Sequence, residues 1–186
     1  AAFAAQAPVL MEVAVDDETH TAEWLRSGAV LAAVTATARP ATGCNSQPLG
    51  AMRYRAAASP AFMARHFADG VTAGTLARAP SLVFSPKDEL QARWARRLCH
   101  RHVELPRHTL PSPQAFATAA LAGMGWGMFP QGMIAPHLAD GSLVELVPGM
   151  PLDVPLHWQT ARAASGLLDG LTRQMVAAAR EGLLPL

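Results

Sequence analysis

What the chain lacks narrows it first. Only two cysteines occur in 186 residues, Cys44 and Cys99, with 54 residues between them, so neither a disulfide framework nor a CxxC metal or redox motif is on offer. Unpaired thiols in a reducing cytosol are the simplest reading, and the cytoplasm is the expected location. Charge of either sign is scarce: 15 Lys and Arg against 14 Asp and Glu leave a net charge of +1, too little for the basic stripe of a nucleic-acid surface. DNA contact by these residues is therefore not expected. No run of about 20 apolar residues is present, so nothing here should span a membrane, and AAFAAQAPVLMEV has neither the basic start nor the cleavable apolar stretch of a signal peptide. Catalytic signatures are missing as well. There is no G-x-S-x-G elbow, P-loop, H-E-x-x-H or complete dinucleotide fingerprint, since G-M-G-W-G opens a strand rather than a phosphate-cradling helix. Neither catalysis nor a cofactor is expected.

What is present is an alternation of strands and helices, the pattern of a parallel α/β sheet, with 51% hydrophobic residues to fill one sizeable core or two small ones. The 37 residues from Leu110 to Leu146 carry the most information. Ser112 is placed to cap a helix with Pro113 at its first position and the small apolar face Phe116, Ala119, Ala120, ending at Gly123. GWGMF makes a short buried strand closed by Pro130; Met133 to Leu138 supply one or two helical turns; Asp140-Gly141 turns the chain into a strand over Leu143 to Leu146.

Elsewhere, Ala1 to Gln6 reads as a helix end and Val9 to Val15 as an edge strand. Asp16 or Asp17 caps a helix carrying Ala22, Trp24 and Leu25 that stops at Gly28, and Ala29 to Thr35 is an apolar strand buried on both faces. Gln47 to Ala58 forms a long strand leaving a first lobe, Ser59-Pro60 starts a helix, Pro155 to Thr160 returns, and Ser165 to Gly182 is a terminal helix with Leu168, Leu171, Met175 and Ala179 on one face. Two chain crossings are what a hinged, cleft-binding protein needs. The expected lobes are residues 1–52 with 159–186, and residues 53–158.

The run Leu110 to Leu146 closely resembles the effector-binding domain of LysR-type bacterial transcription regulators, in its Gly-x-Gly strand, its Pro, its short helix and its Gly-Ser-Leu-Val strand. Val15 to Thr35, Gln47 to Phe67 and Phe84 to Trp94 resemble the arginine/lysine-responsive branch of that family, the activators of basic amino acid export. The resemblance implies an α/β fold of two Rossmann-like lobes joined by two crossover strands, the type II periplasmic-binding-protein-like arrangement. It further implies an upstream first strand, linker helix and winged helix-turn-helix domain outside this chain, and a homodimer that becomes a tetramer in the full-length protein. Promoter DNA would be bound only through that upstream domain. The expected partner is thus a small basic amino acid, lysine or arginine, held between the lobes. A transport solute-binding protein with the same two-lobed fold is the other reading.

A basic amino acid requires donors for its carboxylate and acceptors for its cationic group. Ser112 and the backbone N–H groups of Gln114 and Ala115 offer donors at a helix start, although Ser112 as a plain N-cap explains the sequence equally well. Thr35 and Thr37 end a first-lobe strand and face the cleft by resemblance; solvated loop positions are the alternative. Acceptors are Asp17, with Glu18, and Asp88, with Glu89; the competing roles are helix capping for Asp17 and dipole-matched acids in a first helical turn for Asp88 and Glu89. His20 reads as a surface or supporting residue. Arg53 and Arg55 share one strand face and read as surface groups, and Trp126 and Trp158 as core. Cys99, His100 and His102 are too closely spaced to form a familiar tetrahedral metal site alone, with His108 as the available fourth ligand, and the segment is better read as a solvated helix end followed by a strand.

Overall fold

The computed structural model describes residues 3–4, 9–16 and 21–186. It divides into two compact units, residues 1–52 with 153–186, and residues 53–152. Both crossings between them fall inside long strands: β2 (Cys44–Ala58) carries the chain out and β7 (Leu152–Ala161) carries it back.

In unit 1, helix α1 (Thr21–Arg26) precedes strand β1 (Ala32–Thr35), and the terminal helix α7 (Ser165–Gly182) follows β7 through a 3-10 turn at Arg162–Ala164. The strand expected from Ala29 starts three residues late, because the N–H groups of Ala29 and Val30 both close onto the Trp24 carbonyl at the end of α1 (3.0 and 3.3 Å). Only Thr35 of its four residues is fully buried, so the both-faces burial read from its apolar sequence is corrected as well. Val9 to Val15 is not a strand either. Leu10, Val13 and Val15 are exposed, and among the described residues no strand pairs with this segment; without a neighbour to exchange ladder hydrogen bonds, β-forming residues hold no strand. The terminal helix meets the expected periodicity: Leu168 and Ala179 are buried, Leu171 and Met175 partly so.

Unit 2 contains α2 (Pro60–His66), α3 (Ala73–Leu76), β3 (Ser81–Val83), α4 (Leu90–Cys99), β4 (Arg107–Thr109), α5 (Pro113–Leu121), β5 (Gly127–Pro130), α6 (Gln131–Ala139) and β6 (Val144–Glu145). Ser59 caps α2, its hydroxyl accepting from the Phe62 N–H with Pro60 at the first position. Gly123 adopts φ +74° just beyond α5, a left-handed conformation that favours glycine. α6 is longer than the expected Met133–Leu138 and accommodates Pro136, whereas β6 keeps only two residues. The Ser142 hydroxyl and N–H hold the Asp140 carboxyl below its ordinary range in the turn between them.

The parallel pattern read from the strand–helix alternation holds for part of the sheet only. β3 and β4 are parallel, and Ser81 bridges Trp126 in parallel, but β1–β7, β2–β5 and β2–β6 are antiparallel. The strands that change units cause this: in the order β1-β7-β2-β5 they lie beside elements they do not follow by a helical crossover, so the right-handed βαβ rule applies only to β3, β4 and β5. Two groups of side chains fill unit 2. Phe116, Ala120, Phe129, Ile134 and Leu143 cluster with Ala57 and Leu82, and Trp94 of α4 meets Trp126 at 5.4 Å between ring centroids. Trp126 and Trp158 are buried, as read from the sequence.

Candidate functional site

Parallel strands bring their carboxyl ends to one edge of a sheet, and the segments leaving them are where α/β proteins hold small ligands. In unit 2 the register Val83↔Thr109, with the parallel Ser81–Trp126 bridge, sets three exits on one edge: residues 84–89 after β3, 110–112 after β4 and Gln131 after β5. Leu110 N–H donates to the Val83 carbonyl (2.9 Å) and ties the first two exits together.

Ser112 stands on the second exit as the N-cap of α5, with φ −148° and ψ 120°, its Oγ accepting from Ala115 N–H at 3.4 Å. That bond uses an oxygen lone pair and leaves the hydroxyl proton for another acceptor, so capping and ligand binding are compatible. Gln114 is exposed two residues on, its carbonyl accepting from Thr118 Oγ1 (2.9 Å).

Asp88 lies on the first exit. It precedes α4 rather than occupying its first turn, and Glu89 is the N-cap residue without a side-chain cap bond, which corrects the sequence placement of both. Asp88 is buried: Oδ2 accepts from Phe84 N–H (2.9 Å) and Gln91 Nε2 (3.3 Å), and Oδ1 from Leu90 N–H (3.1 Å). Two oxygens are needed to satisfy two backbone donors. Asp88→Asn, with one acceptor oxygen, is therefore expected to destabilise the protein by about 1–3 kcal/mol through a stranded buried N–H. Urea unfolding checks it, and unchanged stability would show that neither backbone bond matters.

Unit 1 positions the threonines differently. Thr35 is fully buried opposite His157 in the β1–β7 ladder, and its Oγ1 accepts from Thr37 N–H (3.1 Å). Thr37 is exposed, its carbonyl accepting from Gln159 Nε2 (2.9 Å). Gln159 is a residue that sequence reasoning missed. Wholly buried on β7, it also donates to the Arg39 carbonyl (3.1 Å) and accepts from Ala41 N–H (2.9 Å), fixing the loop after β1 from about 120 positions away. No local pattern marks it. Asp17, Glu18 and His20 lie outside the described residues. Each unit thus brings together its own candidates: Thr35 and Thr37 in unit 1, and Asp88, Ser112 and Gln114 on one sheet edge of unit 2.

Other groups take structural places. Arg55, read as a surface group, is only 21% exposed in its side chain and pairs with Glu145 (2.6 Å), with Nε donating to Gln131 Oε1 (3.0 Å). His100 ends α4 in a left-handed conformation and His102 contacts Glu104 at 2.8 Å. Among the described residues no group of three or more His, Cys, Asp or Glu could hold a metal ion, and no helix is long and apolar enough to cross a membrane. A polar cavity of about 230 Å³ in unit 1, lined by Ser46, Trp158, Thr160 and Asp169 among others, contains none of the expected site residues.

Comparison with known proteins gives a consistent result. Residues 1–184 match the family model described as the LysR substrate binding domain. The transcriptional regulator LysG of Mycobacterium tuberculosis is 42% identical over 179 residues, 96% of this chain and 59% of the relative; ArgP of Pseudomonas fluorescens is 42% identical over 99% of this chain and 62% of its own length. The chain spans about three fifths of such relatives, which are named as transcriptional regulators rather than enzymes. Among solved structures, the C-terminal domains of a LysR family protein from Agrobacterium tumefaciens superpose with a TM-score of 0.95 at 56% identity, covering 100% of this chain and 89% of that one. Full-length LysG from Corynebacterium glutamicum with bound effector arginine superposes with a TM-score of 0.83 at 37% identity, covering 98% and 62%. The α/β fold of two Rossmann-like lobes joined by two crossover strands, periplasmic-binding-protein-like, is that of these neighbours, and the chain belongs to the LysR substrate-binding domain family, alongside the LysG and ArgP regulators.

Proposed function

We propose that this chain senses a basic amino acid, arginine or lysine, for a LysR-type transcription regulator. The observation that carries the reading is the likeness to LysG, whose structure holds arginine as effector, at 37% identity across nearly the whole chain. The chemistry of the candidate residues supports it. Ser112 retains a hydroxyl donor for a carboxylate beside the exposed start of α5, Asp88 adds negative charge on the same sheet edge for an ammonium or guanidinium, and Thr35 and Thr37 supply hydroxyls from the other unit. Asp17, Gln114 and the N–H groups of the first turn of α5 complete the proposed set, and the ligand lies between the lobes. The full-length regulator acts in the cytoplasm as a homodimer or tetramer and touches promoter DNA through an upstream helix-turn-helix domain, not through these near-neutral residues.

Calorimetry of the full-length protein with arginine, lysine, histidine and leucine tests this. Heat is expected with arginine or lysine and none with leucine; equal binding of all four, or binding of none, rejects the proposal. A gel shift by residues 1–186 alone would reject the division of labour between sensing and DNA binding.

A further inference from the structure

Three strands of unit 2 build a polar group that the proposed set does not use. β2 supplies Arg55, β6 supplies Glu145 beside Ala57, and Gln131 is the first residue after β5. Arg55 Nη1 and Glu145 Oε1 lie 2.6 Å apart with their side chains only 21% and 18% exposed, so the pair is partly withdrawn from water and better defined than a surface ion pair. Arg55 Nε then donates to Gln131 Oε1 at 3.0 Å. A guanidinium has donors and no acceptor, so the atom it meets must be the amide oxygen whichever way the amide is first drawn. The Gln131 Nε2 hydrogens are therefore turned away from Arg55. Among the described residues Nε2 has no protein partner, and Gln131 is exposed. An exposed glutamine ordinarily samples many rotamers; here an ion pair selects one amide orientation.

Gln131 leaves β5 on the edge where residues 84–89 leave β3 and Ser112 leaves β4. We propose that Arg55 and Glu145 hold Gln131 as a hydrogen-bond donor to the effector carboxylate, so that Gln131 helps select an α-amino acid over the same side chain without its carboxyl group. This rests on the effector reading above. Arg55 is the positioning residue, acting through Gln131.

The test compares arginine with agmatine, its decarboxylated form, by calorimetry on the full-length protein. In Gln131→Met, arginine affinity is expected to fall about 10-fold with agmatine unchanged, the effect of losing one bond to a charged group. Gln131→Glu still accepts from Arg55 but sets a negative charge where the carboxylate binds, so arginine should fall further and agmatine should not. Arg55→Met should reduce the arginine-to-agmatine preference in the same direction. An arginine-to-agmatine ratio within 2-fold of wild type in both Gln131 variants overturns the assignment and leaves the effector reading standing. Equal loss of both ligands also overturns it, since that marks a structural role. Wild-type protein that binds neither arginine nor lysine overturns the effector reading and this inference with it.

Discussion

Replacing Trp94 by alanine is expected to cost about 3–5 kcal/mol of stability, among the larger losses any single core substitution gives. Trp94 is fully buried on α4, its ring centroid lies 5.4 Å from that of Trp126 at an interplanar angle of 52°, and its Nε1 donates to the Met150 carbonyl at 2.9 Å. Truncation removes the ring pair, opens a cavity beside Trp126 and leaves the Met150 carbonyl to find water. Trp126 cannot compensate. Its own Nε1 is buried without a hydrogen-bond partner among the described residues, so Trp126 already bears the cost of one unsatisfied group. Urea denaturation followed by tryptophan fluorescence reads the effect, and Trp94→Phe should recover most of it by restoring aromatic volume without the N–H bond. A loss below about 1 kcal/mol in the alanine variant would show that the site collapses without penalty and that the two-ring core is not a main support of this unit.

Gly50→Ala is expected to be nearly as damaging for a different reason. Gly50 adopts φ +139°, which L side chains rarely reach, and a Cβ there would lie 2.6 Å from the Leu184 carbonyl oxygen and 2.8 Å from Leu183 Cβ. The backbone conformation alone costs about 1–3 kcal/mol for a non-glycine residue, and relief of the contact requires the chain after α7 to move. That chain is held by reciprocal bonds between Ala51 and Leu184, at 2.8 and 2.9 Å, which close the Ala51↔Leu184 bridge. Lost amide protection at Ala51 and Leu184 in hydrogen exchange, together with a lowered Tm, is the expected result. Unchanged protection at both amides would mean that the tail relaxes around the new methyl group and that glycine is dispensable there.

The two substitutions differ in how legible they are. Trp94 follows a helix start that the sequence marks with Asp88 and Glu89, whereas nothing near Gly50 announces a tail more than 130 positions later. The same division runs through the site. Ser112 with Pro113, and Ser59 with Pro60, are readable because capping acts between residues three apart. Asp88 is identifiable as an acid near a helix start, yet its placement before α4 depends on a loop that folds back to Phe84. Arg55 reads as a surface group from strand alternation alone, because alternation assigns a face and says nothing of the Glu145 that a neighbouring strand delivers to it.

By itself the sequence determined the local elements: that Ser59 and Ser112 cap helices, where Gly123 ends one, which face of the terminal helix is apolar, and that the chain crosses twice between two lobes. It also carried the family, because the motifs that do so are contiguous. Tertiary structure alone decided strand direction and pairing, the shortening of β1, the irregular course of Val9 to Val15, the Gln159 clamp on residues 37–41 and the orientation of Gln131. The physical reason is range. Caps, turns and periodicity are energies between residues a few positions apart, whereas ladder bonds and side-chain contacts join residues from 26 positions apart, as Val83 and Thr109, to 122, as Thr37 and Gln159, and beyond, with partners that exist only once the chain has folded.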